Sequence, residues 1–262
     1  LRVGYFQFAP VFGERSMNLE TVSMALGDAA ADLIVLPELP FTGYSFRDRN
    51  ELLSLSDDPK SSSIVEKLAE LCAECGFKIV TGFAERAGEK CYNSALLVGP
   101  NGVESRYRKL HLFDREKDLF DPGDLHLEVI EAGEMRIGMM ICFDWVFPEV
   151  TRTLALRGAD IICHPANLVL SYCQRTMLSR CTENLLFAVT ANRIGEEDRT
   201  GTALAFTGRS QVVAPGGDIL ISSGINEQEL AVAVIDPSIA RNKMMTSRNH
   251  ILLDRRPDFY DR

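Results

Sequence analysis

The stretch MRIGMMICFDWVFPEVTRTLALRGADIICHPA (135–166) decides the fold class. MRIGMMICF (135–143) is almost continuously apolar, as expected of a strand that both faces of a sheet bury. Pro148 suits the first turn of a helix, and VTRTLALRG (150–158) reads as that helix, closed by a glycine. DIICHPA (160–166) is a second buried strand, and it should lie beside the first. Outward from this unit the same alternation continues. On the amino-terminal side RVGYFQF (2–8) and DLIVLPE (32–38) read as strands, with helical spacing over 17–30 and 64–76. FKIVTGFAE (77–85), YNSALLVGP (92–100) and NGVESRYRK (101–109) are strands, the last pair joined by an Asn-Gly turn. On the carboxyl-terminal side a helix over 174–184 precedes strands at 185–193, 209–222 (broken by the tight turn PGG) and 229–237. Strands alternating with helices, with hairpins among them, predict an α/β fold of mixed sheets.

The 262 residues show no composition shift, linker or repeat, so one domain over 1–262 is expected. A chain of this length buries enough surface to fold without disulfides or metals. The net charge of −9 points away from nucleic acid and anionic membranes as partners, and no apolar run is long enough to span a bilayer. The opening LRVGYFQFAP is not read as a secretion signal. The seven cysteines (Cys72, Cys75, Cys91, Cys142, Cys163, Cys173 and Cys181) are odd in number and suit a reducing, cytoplasmic setting. Cys72 and Cys75 form a single CxxC inside an expected helix, which is read as core packing, with no metal site.

Three side chains stand at positions where chemistry could be written. Cys142 closes an apolar strand just before a helix, whose amino terminus would favour the thiolate. Glu38 ends DLIVLPE between Pro37 and Pro40, at the carboxyl end of a buried strand where open α/β sheets bind ligands, and an apolar surrounding would suit it to proton transfer. Lys109 follows a hairpin strand in YRKLHLF and could hold a developing oxyanion. Taken singly, each has an ordinary alternative: a core thiol, a solvated glutamate, a surface lysine.

Together LPELPFTGY (36–44), YRKLHLFDRE (107–116) and MMICFDWVFPE (139–149), in that order, resemble the nitrilase superfamily of carbon–nitrogen hydrolases. NRIG (192–195) and FTGRSQVVAPGG (206–217) extend the resemblance over nearly the whole chain. It implies a four-layer α-β-β-α sandwich of two mixed sheets and a Glu38–Lys109–Cys142 triad, with Glu116 as a second glutamate that orients substrate or holds Lys109. In that scheme Glu38 takes the thiol proton, and Lys109 and the Phe143 backbone N–H stabilise the oxyanion. A thioester at Cys142 is then hydrolysed, with no cofactor. Lys109→Ala is expected to keep the fold and lose nearly all activity. Tyr44, Phe143, Trp145 and Asn167 are expected at the substrate, whereas His164 is read as a satisfied structural histidine. The resemblance also implies a homodimer or larger homo-oligomer, with the tail from about 245 to 262 packing at the contact.

The substrate is a small molecule. No arginine follows Cys142 before Glu149, which favours neutral or cationic substrates unless Arg175 supplies a cation. A small amide comes first, with aliphatic nitriles and N-carbamoyl amines as alternatives. A non-catalytic binding or scaffold protein on the same fold, and a thiol redox protein, are the readings from other classes.

Overall fold

The computed structural model describes residues 1–260, so positions 261 and 262, the end of the tail expected at a subunit contact, lie outside the described residues. Two six-stranded mixed sheets form the centre. The first is built from β1 (Arg2–Gln7), β2 (Leu33–Val35), β3 (Lys78–Ala87), β4 (Lys90–Gly99), β5 (Gly102–Arg108) and β14 (Glu229–Val234) in the order β14-β1-β2-β3-β4-β5. The second holds β6 (Val129–Ala132), β7 (Met135–Met139), β8 (Ile161–Ala166), β9 (Phe187–Asn192), β12 (Gln211–Val213) and β13 (Ile219–Ser222) in the order β13-β12-β9-β8-β7-β6. In each, three neighbouring strands run parallel (β1, β2, β3 and β7, β8, β9), flanked by antiparallel partners. A small ladder pairs β10 (Glu196–Glu197) with β11 (Leu204–Ala205).

Strand alternation explains the layering. Val3, Tyr5, Leu33, Val35, Val80, Ala95 and Leu97 point from the first sheet into a core shared with Ile137, Met139, Ile161 and Val189 of the second. The alternate residues Phe6, Phe8, Ile34, Ile79, Leu96 and Val98 face the other way. There they meet Val22 and Leu26 of α1 (Arg15–Leu26) and Ile64, Val65 and Leu68 of α3 (Ser63–Cys75). The helices α5 (Pro148–Leu156) and α6 (Cys173–Asn184) cover the outer face of the second sheet through Leu154, Met177 and Cys181. The result is the α-β-β-α sandwich. Gly76 ends α3 with a left-handed φ of 77°, as its position in the sequence required.

Three short helices, α2 (Arg49–Leu55), α4 (Glu116–Leu119) and α7 (Ser238–Arg241), were not anticipated, nor were β6, β10 and β11. These elements have two to seven residues, too few to print a period on the sequence. The strand expected over 135–143 stops at Met139, and Cys142–Val146 form a 3-10 turn. Cys72 packs in the core and is a free thiol, as is Cys75. Among the described residues no helix is long and apolar enough to cross a membrane, and no three His, Cys, Asp or Glu side chains gather as metal ligands.

Candidate active site

The parallel strands of both sheets end at one place. Glu38 lies three residues past β2, Lys109 directly after β5, Cys142 three residues past β7 and Asn167 directly after β8. The carboxyl ends of parallel strands leave a crevice where loops diverge, and these four residues occupy it.

Lys109 is 1% exposed and stands between two buried carboxylates. Its Nζ donates to Glu38 Oε1 at 2.7 Å and to Glu116 Oε1 at 2.7 Å. Asn93 Nδ2 donates to the same Glu38 oxygen at 2.7 Å, and the Asn93 carbonyl receives the Lys109 backbone N–H at 2.8 Å. Glu116 is held at its other oxygen by the Phe113 N–H at 2.9 Å, while Tyr44 OH donates to its Oε1 at 2.7 Å. Burial by itself would lower the Lys109 pKa, but the charges of Glu116 and Glu38 outweigh it and hold the ammonium protonated. Burial raises the Glu116 carboxyl, opposed by Lys109 and reinforced by Glu38.

Cys142 is close enough to all three charges for them to act on its thiol. Burial pushes that thiol well above its ordinary range and Glu38 adds to the effect, whereas Lys109 and the Asn167 backbone N–H work against it. The helix α5 begins at Pro148, as expected, but the thiolate it was expected to favour is not the resting form, because burial outweighs that help. The resting group is therefore a thiol, which would need a base to act as a nucleophile. Cys142 itself has a left-handed φ of 39°, a strained value for a residue with a side chain. Three residues with no catalytic signal in the sequence hold that turn or its surroundings. His164 Nε2 donates to the Cys142 carbonyl at 3.0 Å, which fixes its tautomer, and Nδ1 faces Thr190 Oγ1 at 3.2 Å. Asp144, fully buried, accepts from Tyr107 OH at 2.8 Å, the Ile141 N–H at 2.9 Å and His111 Nδ1 at 2.7 Å, tying the turn to the segment that carries Lys109. Asn93 is the third.

A carbon-nitrogen hydrolase model matches residues 2–243. The chain belongs to the carbon–nitrogen hydrolase family. It is 43% identical over the whole of both chains to a nitrilase of Pyrococcus abyssi. It is 33% identical to an (R)-stereoselective amidase of a Pseudomonas species, over 87% of this chain and 82% of that one. Among solved structures, an amidase from Nesterenkonia superposes with a TM-score of 0.83 at 25% identity, over 99% of this chain and 95% of the other.

In this hydrolase two cavities meet at Phe113 and Val169. The cleft at the sulfur is lined by Cys142, Phe143, Trp145, Asn167, Leu168 and Leu170 together with the two shared residues. The second is walled mainly by Tyr44, Phe46, Leu119, Phe120 and Leu204, with Glu116 also in its lining. Of the side chains lining the two, among the described residues, Arg115 is the one cation, and it lies exposed at the edge with its guanidinium on the Arg47 carbonyl. Arg175 lines a separate surface hollow with Gln174, Leu178 and Arg209. Among the described residues, five buried polar atoms in the site have no partner: Glu38 Oε2, Asn93 Oδ1, both Oδ1 and Nδ2 of Asn167, and Ser45 Oγ. Buried polar atoms are rarely left unpaired, and a group of them around one cleft marks where a polar ligand is received.

Proposed function

We propose that this hydrolase cleaves the carbon–nitrogen bond of a small uncharged amide through a thioester at Cys142. The observation that carries the reading is the Lys109 ammonium buried between Glu38 and Glu116 beside a thiol that burial keeps protonated. Glu38 has an unpaired oxygen, Oε2, to take the thiol proton as sulfur attacks the carbonyl carbon. Negative charge builds on the substrate oxygen, where Lys109 and the Phe143 backbone N–H oppose it. The protonated Glu38 then returns its proton to the leaving nitrogen, and ammonia or an amine departs. Water, deprotonated by the same carboxylate, attacks the thioester, releases the acid and restores the thiol. Glu116 holds Lys109, and Asn167 offers its free amide atoms to the substrate, between the walls of Phe143 and Trp145. Among the described residues the one cation lining the two cavities, Arg115, is held at the edge on the Arg47 carbonyl, and Lys109 is taken up by Glu38 and Glu116, which supports a neutral substrate; the apolar second cavity suits a hydrocarbon substituent.

A second reading, hydrolysis of small aliphatic nitriles, is favoured by the 43% identity to a nitrilase. Both use the same sulfur attack and differ in how the tetrahedral adduct breaks down. N-carbamoyl amines are a further class for the panel. Ammonia release from amides, nitriles and N-carbamoyl compounds, with Cys142→Ala as control, tests the proposal. Mass spectrometry of the intact protein during turnover should show an acyl group on Cys142. Undiminished turnover by Cys142→Ala would refute it. We propose a homodimer for the assembly. Its support is the exposure of Leu253, Phe259 and Tyr260 near the carboxyl end, and a monomeric mass in solution would contradict it.

A further inference from the structure

The NRIG segment (192–195) and the glutamates that follow it have no part in the chemistry above. Arg193 and Glu197 are nonetheless a buried ion pair, 1% and 5% exposed. The guanidinium is fully engaged. It meets Glu197 Oε1 through Nη1, the Pro10 carbonyl through Nη2 at 3.2 Å and the Ile194 carbonyl through Nε at 3.3 Å, and it lies 4.0 Å over the Phe206 ring. Glu197 does more than neutralise it. The carboxylate accepts the backbone N–H of Ser45 at 2.6 Å and that of Tyr44 at 3.1 Å. Gly43 makes this approach possible: its φ is 80°, and a Cβ there would lie 2.8 Å from the Phe12 ring and 3.1 Å from Glu197 Oε1. Tyr44 leaves the clamped loop with its ring edge-on to the same Phe206, centroids 6.1 Å apart. Its hydroxyl reaches the Glu116 oxygen that also receives Lys109.

We propose that Glu197, anchored by Arg193, is a positioning residue that acts through Tyr44 to hold Glu116 and Lys109 in register with the substrate. The proposal rests on the assignment of Lys109 and Glu116 made above. A buried Arg–Glu pair alone needs one carboxylate oxygen. Here the carboxylate also spans two consecutive amides of the loop whose next contact is the site, and charge-assisted bonds of this kind fix backbone geometry.

A double-mutant cycle tests it. Glu197→Asp keeps the charge beside Arg193 and withdraws the carboxylate from the loop amides, and Tyr44→Phe removes the hydroxyl. Each single variant should lower kcat on the best amide of the panel by about tenfold or more, with KM changed less than about twofold. The double variant should be no slower than Tyr44→Phe. The fall in Tm caused by Glu197→Asp should be the same in both backgrounds, so that stability adds while kcat does not. Losses of kcat that multiply, or a Glu197→Asp enzyme as fast as the parent, would overturn the proposal. If Glu197→Asp does not fold, Glu197→Gln completes the same cycle. Cys142→Ala separates the two levels of argument: turnover by that variant would sink the assignment of the site, whereas an inactive Cys142→Ala alongside multiplying losses would sink only the role of Glu197.

Discussion

Gly82 lies against the backbone of Glu38. A Cβ at residue 82 would stand 2.6 Å from the Glu38 Cα and 2.7 Å from the Pro37 carbonyl oxygen, which already accepts the Gly82 N–H at 3.1 Å. The neighbour on the far side, Leu39, has a left-handed φ of 48°, so the segment has little freedom to move away. Gly82→Ala should displace Glu38 by a few tenths of an ångström or more. The expected cost is about 1–3 kcal/mol of stability and up to about a hundredfold in turnover. Gly216→Ala is the control, because its Cβ would meet only the Asp218 carboxylate, at 3.5 Å. Equal turnover in the two variants would show that the Glu38 segment tolerates the shift.

Lys109→Ala should lose on the order of a hundredfold or more in turnover. The fold is expected to persist in this variant, at reduced stability. Lys109 is the shared partner of two buried carboxylates, and removing one member of such a cluster typically costs about 3–5 kcal/mol. Thermal denaturation should show a lower Tm. Adding Glu116→Gln should restore part of the Tm and none of the turnover. A Lys109→Ala protein that melts with the parent would contradict the buried charge cluster.

His164 gives a pH dependence of known sign. Burial lowers its pKa from 6.5 to about 4, partly offset by the Cys142 carbonyl that its Nε2–H meets. Between those values the unfolded chain binds the proton and the folded one does not, so acid favours unfolding. The stability from this residue is complete above pH 6.5 and is lost as the pH falls through about 4, an effect on the order of 3 kcal/mol. Chemical denaturation of parent and His164→Gln at pH 7 and pH 4.5 measures it. The parent should lose more stability over that interval than the variant, and parallel losses would assign the acid sensitivity elsewhere.

Asn167→Leu should separate stability from binding. Both amide atoms of Asn167 are buried without partners, so an apolar side chain of similar size removes a desolvation cost. The variant should melt at or above the parental Tm while kcat/KM falls by about tenfold, the scale of one lost charged or buried hydrogen bond. A lower Tm with unchanged kcat/KM would mean that Asn167 serves the core and not the substrate.

Residue patterning alone was enough for an α/β fold of mixed sheets, and the four layers were implied by the family resemblance. The structure shows why the strands suit those layers: successive residues of RVGYFQF and DLIVLPE point to opposite faces and enter two different cores. The order of three motifs was enough to select Glu38, Lys109, Glu116 and Cys142, which the fold then brought together from positions as far apart as 38 and 142. The protonation state of the thiol was beyond local inspection. It depends on how deeply the sulfur is buried: α5 begins at Pro148 as expected, but burial outweighs the help the thiolate was expected to draw from that helix. Asn93, Asp144, His164 and Glu197 carried no catalytic signal, because each acts through partners 20 to 150 or so residues away in sequence. A hydrogen bond to a distant backbone leaves no periodicity or spacing behind. Only the closed tertiary structure decides which polar atoms are shielded from water, and therefore which of them must find one another and which remain free for a substrate.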